Sequence, residues 1–143
     1  DIEEDNIKIA RESCYAKNIE FVCGDITTCF IDFKADCIVL SNILEHIKDR
    51  REFLERLKRV SSRFLIRVPM FNRDWITPYK KEMSIEWRLD NTHCTEYTQE
   101  SFYEEMQNAG MTIKEQEIMW GEIYSVVEVK NEESNNNVST TSN

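Results

Sequence analysis

The residues able to do chemistry fall in four places along this 143-residue chain. Asp1 with Ile2, and Asp25 with Ile26, each set a carboxylate beside a branched apolar residue. A carboxylate offers acceptor oxygens to hydroxyl or amino donors. Ser41, Asn42, Glu45 and His46 come directly after an apolar run. Glu45 and His46 have the makings of an acid–base couple, because imidazole titrates near neutral pH. Residues 70–97 gather Trp75, Tyr79, Trp87, Arg88, His93 and Tyr97. There Trp75, Trp87 and Tyr79 could stack on a ring, Arg88 could clamp a carboxylate or phosphate, and His93 could take a proton from an acceptor hydroxyl. Each group also has a purely structural duty open to it. Asp25 suits a Gly-Asp turn, Ser41 or Asn42 a helix cap, and the aromatics the packing of a long loop. The catalytic base stays open, with His93 and His46 as the candidates.

The elements that must position these groups follow from periodicity. Residues 6–17 read as a helix, with Ile7, Ala10 and Cys14 on one stripe. Residues 19–23 read as a short strand closed by Gly24 and Asp25. ADCIVL, residues 35–40, is a continuous apolar run, which predicts a strand covered on both faces. Residues 47–60 predict an amphipathic helix with Phe53, Leu54, Leu57 and Val60 inward. RFLIRV, residues 63–68, is a strand ended by Pro69. Residues 70–97 read as irregular. Thr98 caps a further helix that buries Phe102, Met106 and Ala109 and stops at Gly110. Residues 111–118 and 122–129 form an antiparallel pair around Trp120 and Gly121. Residues 131–143 form a polar, low-complexity stretch and predict a disordered tail, leaving residues 1–130 as one domain. The expectation is an α/β fold: a mostly parallel sheet with a C-terminal antiparallel pair.

Composition narrows the function. A net charge of −9 argues against a nucleic-acid partner, whose phosphates demand Lys and Arg. The basic residues at 50–59 alternate with Glu52 and Glu55, as on a solvated helix face. The longest apolar run, residues 37–40, is far shorter than the ~20 residues of a membrane span. The five cysteines, Cys14, Cys23, Cys29, Cys37 and Cys94, include no C-x-x-C pair, so no metal is expected and a reducing cytoplasm is. Cys23 and Cys37, inside apolar runs, look like small core residues. The three glycines, Gly24, Gly110 and Gly121, cannot build a phosphate-cradling loop. A first residue that is Asp rather than Met suggests a processed or cut chain.

The succession DIEEDNIKIARES, IEFVCGDIT, ADCIVLSNILEHI with FLERLKRV, then RFLIRVP, followed by the antiparallel pair, resembles the class I, Rossmann-like methyltransferases. The resemblance runs from Asp1 to about Val129. It implies S-adenosylmethionine as cofactor and methyl transfer to an oxygen or nitrogen of a small molecule or glycan. It implies that Asp1, with Ile2 beside it, holds the ribose hydroxyls. It implies that Asp25 accepts from the adenine amino group while the Ile26 amide donates to the ring, and that Ser41 and Asn42 line the methyl and methionine end. Trp75, Trp87 and Arg88 fall in the expected substrate wall. The family's first strand and glycine-rich loop have no counterpart here, so the resemblance is to an N-terminally truncated, C-terminal portion of the fold. A degenerate, non-catalytic binding module is the alternative. Half of a nicotinamide-dependent dehydrogenase is disfavoured by the GDI segment and the closing antiparallel pair.

Overall fold

The computed structural model describes residues 1–29 and 32–130, which fall into two compact units, residues 1–32 and residues 33 onward. The tail expected at 131–143 lies outside the described residues.

In the first unit, helix α1 covers Glu4–Ser13, beginning and ending earlier than its periodicity suggested. Glu4 and Asp5 in its first turn and Arg11 in its last complement the helix dipole, and Ile7 is its buried residue. The strand expected over residues 19–23 is not regular. One rung of a parallel ladder forms instead: the Asp1 nitrogen donates to the Val22 carbonyl (3.3 Å), and the Gly24 amide donates to the Asp1 carbonyl (2.8 Å). The ladder cannot run past Glu3, where α1 takes over. Cys23 is therefore exposed rather than a core residue.

The second unit is built on strands β1 (Ile38–Ser41), β2 (Arg63–Pro69), β3 (Met111–Met119) and β4 (Glu122–Val129). They lie in the order β1-β2-β4-β3. Only β1 and β2 pair in parallel; β4 runs antiparallel to both β2 and β3. Among the described residues the fold is thus α/β with a mixed four-stranded sheet, and the expectation of a mostly parallel one is not met there. The physical reason is that the short turn after β3 sends β4 back between β3 and β2. Phe64, Ile66 and Val68 of β2 are fully or almost fully buried, whereas Leu65 and Val39 on the opposite face are 42% and 64% exposed. The apolar run of β1 is therefore covered on one face only, and Cys37 before it is half-buried.

Helix α2 spans Arg50–Leu57, not 47–60, because a 3-10 turn at Leu44–His46 and an extended Ile47 occupy the approach. Helix α3, Ile76–Glu82, lies in the stretch expected to be irregular. The Asp74 carboxylate starts it by accepting from the Thr77 amide (2.7 Å) and hydroxyl (3.0 Å), and Pro78 is tolerated in its first turn. Helix α4, Gln99–Asn108, begins as expected, with Thr98 and Ser101 exchanging side-chain and backbone hydrogen bonds in a capping box. Gly110 ends it at φ +68°. Trp120 and Gly121, both at positive φ, close the two-residue hairpin between β3 and β4. A Cβ at Gly121 would stand 2.6 Å from the Cβ of Arg73. Phe53, Leu54, Phe64, Phe102, Met106 and Ile123 fill the core beneath the sheet. Among the described residues no helix is long and apolar enough to cross a membrane.

Candidate functional site

In the first unit, the single rung at Asp1 brings the two acidic positions together. Gly24 is bonded to Asp1, and Asp25 is the next residue. One Asp1 oxygen accepts from the Glu3 amide (2.9 Å) and the other from the Asn6 side chain (3.3 Å). Asp25 Oδ1 accepts from the amide and hydroxyl of Thr27 (2.8 and 2.7 Å), the Asx turn that a Gly-Asp pair favours. Ile2 and Ile26 are exposed beside them.

In the second unit, Ser41 is the last residue of β1 and Asn42 the first beyond it. Neither caps a helix with its side chain. The Asn42 amide closes onto the Arg67 carbonyl (2.9 Å) at φ +53°, a left-handed turn that Asn tolerates. Its side chain donates to Glu122 Oε1 (3.2 Å), while Glu122 Oε2 accepts from Arg67 (2.7 Å) and Tyr124 (2.9 Å). Burial raises the Glu122 pKa, but these hydrogen bonds together outweigh it and hold the carboxyl below its usual range.

The 3-10 turn that follows carries Glu45 and His46 to residues 92–96. The Glu45 carbonyl accepts from the amides of Cys94 (2.7 Å) and Thr95 (3.3 Å), which pins the two segments. A parallel bridge between Met70 and Tyr97 anchors the far end to the tip of β2. The chain's two histidines meet edge to face, with ring centroids 4.7 Å apart. His93 is buried, and its Nδ1 lies 3.0 Å from Glu96 Oε1. Glu96 is itself held by Arg73 and by the Leu89 amide. His46 Nδ1 lies 2.9 Å from the Thr92 hydroxyl, which donates to Asp90 (2.7 Å).

Glu45 is the unusual member. Its side chain is fully buried, and among the described residues neither carboxylate oxygen meets a donor in hydrogen-bonding geometry. Burial pushes its pKa up, and its own backbone amide, the nearby Asn42 and the two imidazoles pull it back only in part. One ligand atom from each of Glu45, His46 and His93 lies within 4.8 Å of the others. The sequence reading treated Glu45–His46 and His93 as separate candidates. The signal that joins them is that they hold both of the chain's histidines.

The expected substrate wall is less uniform. Trp75 is 75% exposed and Tyr79 52%, in tilted contact 6.2 Å apart. Trp87 packs edge-on against Phe71 at 5.1 Å, with Lys81 Nζ 4.9 Å from its ring. Arg88 is engaged: it donates to Glu86 (2.9 and 2.8 Å) and to the His93 carbonyl (3.0 Å). The Arg88 guanidinium in turn holds the Glu86 carboxyl down to about 2. In this arrangement Arg88 orients the loop of His93.

Residues 2–116 match the family described as a methyltransferase domain, so the chain belongs to that family. No curated protein sequence matches it. Solved structures share its fold: LepI in complex with SAM, with a TM-score of 0.66 and 19% identity over 89% of this chain and 34% of that one. OxaC in complex with sinefungin and meleagrin gives 0.66 and 15% over 91% and 35%. The DhpI–SAH complex gives 0.65 and 15% over 90% and 63%. The chain thus spans about a third of the length of the first two, at 34% and 35%.

Proposed function

We propose that this chain is the C-terminal portion of a longer S-adenosylmethionine-dependent methyltransferase acting on an oxygen or nitrogen of a small-molecule acceptor. The observation that carries the reading is the 2.8 Å bond between Gly24 and Asp1, which sets the two carboxylate-bearing positions side by side. The chemistry of the donor set fits a nucleoside. Asp1 offers acceptor oxygens to vicinal hydroxyls, and each oxygen keeps a second lone pair beyond its local bond. Asp25 and the Ile26 amide supply an acceptor next to a donor, the pattern that reads the edge of adenine. Ile2 and Ile26 lend apolar surface. In the second unit, Ser41 and Asn42 are the candidates for the methyl and methionine end.

The bound cofactor supplies an electrophilic methyl group on a sulfonium. Methyl transfer is an in-line displacement, so the protein's contribution is chiefly to hold acceptor and donor in line. Trp75 and Tyr79 are the exposed rings on which a ring-bearing acceptor would stack. Relatives in fold bind small molecules, as the meleagrin complex of OxaC and the substrate-analogue complex of LepI describe. The mostly parallel sheet belongs, in this reading, to the whole protein.

The test is transfer of label from methyl-labelled S-adenosylmethionine into small-molecule acceptor pools by the full-length protein, with calorimetric titration of the cofactor alongside. Labelled product and saturable binding are expected. A full-length protein that binds no S-adenosylmethionine would end the reading. The 143-residue chain alone is expected to bind the cofactor weakly or not at all.

A further inference from the structure

The cluster of Glu45, His46 and His93 has a property that methyl transfer does not require: it sets two imidazoles beside a buried carboxyl group whose oxygens lack a hydrogen-bond partner among the described residues. The Thr92 hydroxyl has one proton and gives it to the Asp90 carboxylate, which also takes the Thr92 amide (2.7 Å). His46 Nδ1 must then carry the proton it shares with Thr92, leaving the lone pair on Nε2. His93 Nδ1 faces the Glu96 carboxylate, which can only accept, so the His93 lone pair is on Nε2 as well. Glu45 adds two buried oxygens that have no hydrogen-bond partner among the described residues. One ligand atom from each of the two imidazoles and the carboxylate lies within 4.8 Å of the others, and with both Nδ1 atoms engaged the Nε2 atoms are the ring nitrogens left to a ligand. A buried, unpaired carboxylate is costly, and a cation is what would offset it.

We propose that Glu45, His46 and His93 form a binding site for a divalent transition-metal cation of the zinc class. Two imidazoles and one carboxylate are a ligand set for borderline-soft cations, whereas Mg²⁺ prefers oxygen alone. Three protein ligands leave a position open, as at reactive rather than structural metal sites. The second layer is in place. Glu96 and Thr92 orient the two rings through their Nδ1 atoms, and Arg73 and Asp90 hold those partners. Glu45 and His46 sit directly beyond the carboxyl end of β1, where ligands of open α/β sheets are received. The open position would take an oxygen or nitrogen of a bound small molecule. The site stands on this geometry alone and does not depend on the cofactor reading.

The test loads the purified, metal-stripped chain with Zn²⁺, and separately with Co²⁺, and measures stoichiometry, affinity and thermal melting. One ion per chain and a melting temperature that rises with added Zn²⁺ are expected. Co²⁺ should show visible ligand-field bands without a thiolate charge-transfer band, which separates this site from the five free cysteines. Glu45→Gln and His93→Ala should each weaken binding by more than about 100-fold, since even an outer-layer partner is worth about 10–100-fold. Glu45→Gln also separates ligation from folding: it should melt no lower than the metal-free parent, because a buried unpaired charge is gone, and lose the Zn²⁺-dependent rise. Zn²⁺ binding unchanged in Glu45→Gln, a thiolate-type Co²⁺ spectrum, or retention of Mg²⁺ but not Zn²⁺ would each overturn the assignment. A chain that binds no Zn²⁺, alongside a full-length protein that binds S-adenosylmethionine, would overturn the assignment and leave the functional reading untouched.

Discussion

The two units hold their candidate groups in different ways. In the first, Asp1 and Asp25 are placed by turns and a single ladder rung, and among the described residues Ile7 is the one buried hydrophobic residue, while Ile2, Ile9, Tyr15, Ile19, Val22 and Ile26 are exposed. In the second, Glu45, His46 and His93 are pinned by backbone bonds to segments that rest on a packed sheet–helix core from Leu40 to Val127. A corner built on turns can adjust to what it binds. A cluster of lone pairs that must stay a fixed few ångströms apart calls for rigid support.

The contrast can be broken most directly through the core. Phe102→Ala, which empties a fully buried position, should lower the stability of the sheet unit by about 3–5 kcal/mol, read from urea unfolding followed at β-sheet circular dichroism. A loss below about 1 kcal/mol would mean that the packed core is not what holds the second unit. Next in size is Asp25→Ala in the full-length protein. Losing a charge-assisted hydrogen bond of about 1.5–3 kcal/mol should weaken S-adenosylmethionine binding at least about 10-fold by calorimetry. An unchanged affinity would reduce Asp25 to its Asx turn.

The smaller effects sharpen the comparison within the second unit. Thr98→Ala removes the capping box of α4 and should cost about 1 kcal/mol, measured by the same unfolding curve. Glu122→Gln addresses pH. The carboxyl of Glu122 is held below its usual range in the fold, so its contribution is present above the unfolded carboxylate pKa and is lost as pH falls through the lowered value. The variant should therefore flatten the acid side of the stability–pH profile. The effect should stay under about 1 kcal/mol, because Arg67 is 42% exposed and water screens the pair. A variant with the parent's acid profile would show that the pair contributes nothing.

Much of the second unit was legible because its signals are local. Thr98 and Gly110 bracket α4, and Trp120–Gly121 sits between two alternating runs, so both elements follow from nearest neighbours. The sheet's direction was not legible, since no local signal says that β4 inserts beside β2. Residues 19–23 have a strand's composition, but a strand needs a partner longer than one rung. Ser41 and Asn42 have the type of a helix cap, which would open a helix over Ile43 and Leu44. A 3-10 turn changes the phase there and turns Glu45 inward, where a helical period would not put an acid. The site residues themselves were visible one at a time; their convergence depends on the Glu45 carbonyl meeting Cys94 and Thr95, residues distant in sequence.

The position of β4 bears on the order of events during synthesis. Residues 122–129 form the strand that joins β3 to the β1-β2 pair. Until the ribosome has released them, β2 lacks its inner neighbour and β3 has nothing to align with. The nascent chain must therefore wait for residues 122–129 before its sheet can close, with Phe64, Ile66 and Val68 of β2 short of that neighbour in the interval.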